Sequence, residues 1–118
     1  MLPKKNRLAR EVDIKRILDK RQKQKHTSLL RAVMADTQQT VPRILVITSK
    51  KLGGAVQRNR IRRVLYGAFN KIKHKINKNI DIVLFPRPMD LKDKAVKERL
   101  CKEFASLMID EKIVADFG

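Results

Sequence analysis

The stretch Ile44-Leu45-Val46-Ile47-Thr48-Ser49-Lys50-Lys51-Leu52-Gly53-Gly54-Ala55-Val56-Gln57-Arg58-Asn59-Arg60-Ile61-Arg62-Arg63 sets the architecture of this chain. Ile44 to Thr48 is β-branched and apolar, which reads as a well-buried strand. Pro42, just ahead of it, suits a strand start. Lys50 to Gly54 is a loop, and its two glycines can take backbone angles closed to other residues. From about Ala55 to Lys75 the pattern becomes helical. Ile61, Val64, Leu65, Ala68, Phe69, Ile72 and Ile76 recur on one face. Asn59, Arg60, Arg63, Asn70 and His74 fall on the opposite face, with Arg58 and Arg62 toward the flanks.

Downstream, Ile80 to Phe85 is a second buried strand, ended by Pro86 and Pro88 because proline cannot donate to a ladder. A strand, a helix and a strand in this order join parallel strands, and the general rule makes such a crossover right-handed. A last helix starts at about Leu91 or Asp93 and runs to Met108. Val96, Leu100, Phe104, Leu107 and Met108 form its apolar stripe, with Cys101 beside it. Ile109 to Gly118 carries no clear pattern.

Upstream, Met1 to Arg10 is a basic arm with Lys4, Lys5, Arg7 and Arg10. Glu11 to about Lys20 reads as a short helix. Its apolar set is Val12, Ile14, Ile17 and Leu18, and Glu11 and Asp13 sit in its first turn, where negative charge is favoured. Arg21 to Thr27 is a loop or a ragged strand. Leu29 to Ala35 is an apolar strand interrupted by Arg31, and Asp36 to Thr40 is a turn. The expected architecture is one α+β (α/β-type) domain over residues 1–118: a two-layer sandwich of about four mixed strands packed with three helices.

The formal net charge is +17, and it is unevenly placed. Residues 1–86 carry 22 basic and 5 acidic side chains, which is the whole excess, while residues 87–118 balance to zero. Self-repulsion on this scale destabilises a compact domain, so it implies a polyanionic partner. Between Lys50 and Arg63 there are six basic side chains and no acidic one. They surround the start of a helix, where N–H groups already favour anions. A phosphate backbone is the expected ligand, and a folded RNA its leading form.

Several classes are disfavoured. A single cysteine, Cys101, excludes an internal disulfide and suits a reducing cytoplasm. One cysteine and two isolated histidines, His26 and His74, do not make a zinc site. There is no long apolar run to enter a membrane, and no apolar segment of a secretory signal follows the basic arm. Asp81 could ligate a metal in a nuclease, but no second carboxylate lies near it in sequence, so its structural role is the stronger reading. No Ser-His-Asp or Cys-His arrangement is suggested.

The series Lys50-Lys51, Gly53, Ala55-Val56, Arg58-Asn59-Arg60 and Arg62-Arg63 resembles the signature of the bacterial ribonuclease P protein component. Asn6-Arg7-Leu8 resembles that family's N-terminal segment, Ala68-Phe69 the end of its signature helix, and Asp81-Ile82-Val83 with Arg87-Pro88 its last strand. The similarity is collinear over about residues 2–108. It implies a sandwich with a left-handed crossover around the signature helix, against the general rule. It also implies the protein subunit of an endoribonuclease that removes the 5′ leader of precursor tRNA. The implied partners are ribonuclease P RNA and precursor tRNA. Catalysis would belong to the RNA with Mg2+ bound mainly there, with no catalytic residue, metal ligand or intrinsic cofactor in the protein.

On this resemblance the RNA-binding set is Lys50, Lys51, Arg58, Asn59, Arg60, Arg62 and Arg63. Each base can neutralise a phosphate, and arginine can do so bidentately. Asn59 either bonds to RNA or ties the helix start to the preceding loop. The leader-groove candidates are Arg7, Ile14, Leu18, Leu29 and Arg31. Arg7, Arg10, Lys15, Arg16 and Arg31 are weaker, since solvated charge explains them equally well, and Arg31 is the best of them because it interrupts an apolar strand. The family usually offers aromatic side chains to the leader, yet the corresponding positions here are Ile14, Leu18, Leu29 and Ala32. Tyr66 stands where a basic residue is common, and Gly54 where asparagine is common. Phe69, Phe85 and Phe104 are assigned to the core, and Phe85 has no basic neighbour in sequence until Arg87. A structural RNA-binding protein, such as a ribosomal protein, is the alternative. A protein-only metal nuclease is a third class, opposed by the scarcity of carboxylates in residues 1–86.

Overall fold

A computed structural model describes residues 6–8, 11–20, 23–37, 41–76 and 79–110. Its elements are α1 (Glu11–Lys20), β1 (Lys23–His26), β2 (Leu30–Asp36), β3 (Arg43–Val46), α2 (Ala55–Ile72), β4 (Ile80–Pro86) and α3 (Lys94–Asp110). Short 3-10 turns, Lys50–Leu52 and Lys73–Lys75, flank α2. The expectations for Lys4, Lys5 and Arg10 of the arm, for residues 38–40 of the turn and for the tail beyond residue 110 lie outside the described residues.

The four strands lie in the order β1-β2-β4-β3. β2 is antiparallel to both β1 and β4, whereas β3 runs parallel to β4, as the intervening helix α2 requires. The segment of Arg21 to Thr27 that looked ragged thus supplies an edge strand. Its four residues, Lys23 to His26, are all exposed and polar, which blunts that edge against pairing with another chain.

Strand alternation divides the apolar residues between two faces. Leu30, Ala32 and Met34 of β2 join Ile82 and Leu84 of β4 against Ile61, Leu65 and Phe69 of α2 and Leu100, Phe104 and Met108 of α3. Burying each of these side chains larger than alanine is worth roughly 1.5–3 kcal/mol. On the second face Val33, Ala35 and Val83 meet Ile17 of α1 and Leu8 of the arm. The expected sandwich of a mixed sheet and three helices is present, with α1 alone on the second face. Val12 does not belong to the apolar set of α1: it is 73% exposed. Ile14, Ile17 and Leu18 follow the i, i+3, i+4 spacing that faces the sheet, and Val12 falls off that stripe.

A buried ionic cluster pins α1 to the sheet. Ala35, Asp81 and Arg43 are register neighbours across β2, β4 and β3. Arg43 donates from Nε to Asp81 Oδ1 at 2.8 Å and from Nη2 to Oδ2 at 2.7 Å. Arg16 of α1 donates to the same Oδ2 at 2.8 Å, and Arg43 also reaches Asp13 of α1 at 3.2 Å. The hydrogen bond to Asp81 holds the Arg43 guanidinium charged above its ordinary range, although burial opposes it. Asp81 is fully buried and accepts from two arginines.

A second tie holds α3 to the start of β2. Glu103 accepts from the Leu29 N–H at 2.8 Å, from the Ser28 hydroxyl at 2.7 Å and from Arg99 Nε at 3.0 Å. Burial opposes ionisation of Glu103. Its hydrogen bonds with Thr27, Ser28, the Leu29 N–H and Arg99 outweigh that and hold the carboxyl below its ordinary value of 4.5.

Candidate nucleic-acid interface

The basic series begins on the 3-10 turn and ends on the third turn of α2. Lys50 and Lys51 are exposed on the 3-10 turn, while Leu52 between them and the helix is buried as an anchor. Gly53 follows with φ of 115°, a left-handed conformation that favours glycine, and so turns the chain into α2. The helix then starts at Gly54 with no side-chain cap and no acidic residue in its first turn. Its first N–H groups therefore present uncompensated positive charge beside the lysines.

Periodicity distributes the remaining bases around this end of the helix. Ile61 is fully buried, and Asn59, Arg60 and Arg63 are exposed on the face away from it. Arg58 and Arg62 are half-buried on the flanks, as their spacing predicts. Arg58 has its Nε buried without a hydrogen-bond partner. The ion pairs among the described residues join Arg16 and Arg43 to Asp81, Arg43 to Asp13, and Arg99 to Glu103. None of them uses a side chain from Lys50 to Arg63.

Arg62 is tied to the scaffold. Arg62 donates to Asn59 Oδ1 and to the Thr48 hydroxyl, each at 2.7 Å. Arg62 thereby links α2 to Thr48, just beyond β3, whereas Asn59 meets Arg62 within the helix itself. Tyr66, one turn further along, accepts the Val46 N–H at 3.1 Å through its hydroxyl. That bond satisfies a donor on the outer edge of β3. Leu8 covers the same edge, where its N–H donates to the Ile44 carbonyl at 3.0 Å.

An open groove of about 740 Å³ lies between α2 and this edge. One wall is the helical series Asn59, Arg62, Arg63, Tyr66, Gly67 and Asn70. The other is Arg7, Leu8, Ile44 and Leu45. Arg7, assigned from sequence to the leader groove, thus stands beside the signature helix.

The leader-groove candidates do not form one surface. Ile14 and Leu18 of α1 are half-buried on the second face of the sheet, and Arg31 is on that same face. Leu29 and Ala32 are buried in the core against α2 and α3 instead. For Ala32 this follows from alternation with Arg31. Leu29 precedes β2 at a bend, so the strand period does not extend to it.

Phe85, like Val12 and Leu29, departs from its expected place. It is half-buried, not core, and Arg31 lies over its ring at 4.8 Å from the centroid. The two are register partners on β4 and β2, and His26 of β1 is the next partner beyond Arg31. Arg87 donates to His26 Nδ1 at 3.2 Å. A row of His26, Arg31 and Phe85 therefore crosses the sheet, with Arg87 at its side. Along β4 it lies four residues from the Asp81 cluster, about 13 Å at the usual strand rise. The signal for Phe85 lay in strand parity: counted from buried Ile82 and Leu84, it falls on the face of Arg31.

Among the described residues no three His, Cys, Asp or Glu side chains come together as a metal-binding set. Nor is any described helix long and apolar enough to cross a membrane. These surfaces offer cationic donors for anions and one half-buried aromatic face, that of Phe85.

Comparison with known proteins agrees in sequence and fold. The model of the family described as Ribonuclease P matches residues 2–110. A protein named ribonuclease P protein component from Pseudanabaena sp. is 33% identical over 85 residues, covering 71% of this chain and 73% of that one. Another of that name from Desulforapulum autotrophicum is 29% identical, covering 90% and 92%. The solved structure of the Staphylococcus aureus RNase P protein superposes with a TM-score of 0.78 at 22% identity, covering 92% of this chain and 97% of that one.

Proposed function

The chain belongs to the Ribonuclease P protein family, and on that footing we propose that it is the protein subunit of ribonuclease P. In this reading the start of α2 docks on the catalytic RNA. The second face of the sheet guides the 5′ leader of precursor tRNA. The RNA subunit carries out the hydrolysis with its own magnesium ions, and the protein supplies no catalytic residue. The carboxylate best placed in sequence to hold a metal, Asp81, is engaged by Arg16 and Arg43 and does not fit that task.

One observation carries this reading. Six bases from Lys50 to Arg63, with no acidic neighbour in that stretch, surround an uncapped helix start. Each phosphate neutralised there releases counterions, which makes affinity high and salt-dependent. Lys50, Lys51, Arg60 and Arg63 are free to move onto phosphates, whereas Arg62 is held in place by Thr48 and Asn59. On the sheet face, Arg31 supplies charge for the leader and Phe85 a flat ring. Ile14 and Leu18 extend the apolar floor.

The test is precursor-tRNA cleavage at low magnesium with the protein alone, a bacterial ribonuclease P RNA alone, and both together. Cleavage at the mature 5′ end only with both is expected. Cleavage by the protein alone would overturn the assignment of chemistry to RNA. Intact RNA binding with no stimulation of cleavage would point to a structural RNA-binding protein instead.

A further inference from the structure

We propose that the groove between α2 and the β3 edge receives one unstacked nucleobase of a bound RNA, with the Tyr66 ring as its stacking face. This rests on the reading of the chain as an RNA-binding subunit and specifies how part of that surface binds. A surface that met phosphates alone would be charged throughout. Here the groove is mixed. Arg7, Arg62 and Arg63 share its lining with the uncharged Leu8, Ile44, Leu45, Tyr66 and Gly67.

Gly67 is the independent observation. It lies mid-helix, where glycine is disfavoured relative to alanine because it loses more backbone freedom. Among the described residues a Cβ built there meets no atom within 4 Å. The space beside Tyr66 is therefore kept open without any packing reason among the described residues. A glycine of this kind suits the close approach of a ligand to the helix backbone. Tyr66 is preorganised for the same purpose. Its hydroxyl, bonded to the Val46 N–H, fixes the ring on the groove wall. Single-stranded RNA is recognised by splaying a base onto such a ring, with arginine on the adjoining phosphate. Asn59 and Asn70 on the same wall offer amides to a base edge.

The experiment uses the whole chain and follows the Tyr66 ring and Gly67 amide by NMR. Adenosine 5′-monophosphate, ribose 5-phosphate and inorganic phosphate are added separately. The nucleotide is expected to shift both signals at concentrations where the two base-free phosphates do not. Gly67→Leu fills the space with a good helix former, so it should hold or raise the thermal midpoint and weaken nucleotide binding at least tenfold. Tyr66→Phe keeps the ring without its anchor and should weaken binding less than Tyr66→Leu, which should abolish it. Equal binding of ribose 5-phosphate, or undiminished binding in a folded Gly67→Leu variant, overturns the proposal. A chain that stimulates precursor cleavage normally yet shows no base-dependent shift overturns this inference alone. Failure to stimulate cleavage overturns the reading beneath it.

Discussion

The guanidinium of Arg31 lies 4.8 Å above the centroid of the Phe85 ring, across the β2–β4 pair. The contact places a cation and an aromatic face together on the sheet surface that α1 leaves open. Ile14 and Leu18 on that face are aliphatic, and Leu29 and Ala32 are buried in the other layer, so Phe85 is the one Phe, Tyr or Trp side chain on that face among the described residues.

Phe85→Leu should keep the fold and weaken leader binding. Stacking on an aromatic ring is worth ~1–3 kcal/mol per base, or about 5- to 150-fold in affinity. The check is the affinity of the holoenzyme for precursor tRNA with and without a leader. An equal loss for both substrates would remove Phe85 from the leader path.

Arg60→Ala and Arg63→Ala should each weaken binding of the RNA subunit. Each should also flatten the dependence of log K on log salt by about one phosphate contact. Neither base is paired with an acidic group, so the substitutions leave no buried charge behind. Salt titrations that superpose on the parent slope would exclude the start of α2 as the docking surface.

Asp81→Ala should destabilise the fold by roughly 3–5 kcal/mol, because it strands the buried Arg43 charge and frees Arg16. Denaturant unfolding measures the loss. A cost below about 1 kcal/mol would mean that the cluster does not hold α1 on the sheet.

Glu103 gives the stability an acid limb. Its pKa is lower folded than unfolded, so the unfolded chain takes up the proton first as pH falls. The stabilisation is complete above its ordinary value of 4.5 and is lost as pH falls through the folded value. Glu103→Gln should lower stability at neutral pH and flatten the decline below pH 4.5. Unfolding curves recorded from neutral to acid pH test this, and parallel profiles for parent and variant would contradict it.

Gly53→Ala should destabilise by about 1–2 kcal/mol, since left-handed backbone penalises a side chain. The added Cβ would also stand 3.3 Å from the Gln57 side chain. A thermal midpoint equal to the parent's would show that the loop relaxes out of this conformation.

The sequence alone determined whatever depends on neighbours along the chain. Three- and four-residue spacing identified α1, and it put Ile61, Leu65 and Phe69 inward with Asn59, Arg60 and Arg63 outward. The order and density of Lys50 to Arg63 identified the basic helix start. Only the tertiary structure decided the pairings between distant segments. Arg43 meets Asp81 across 38 positions, and Tyr66 satisfies Val46 across 20. Arg31 covers Phe85 through strand register, Arg7 joins α2, and Leu29 turns into the opposite layer. Periodicity is written in each segment by itself. Which face of one segment meets which face of another depends on strand register and on the packing of separate layers, and no local pattern contains that choice.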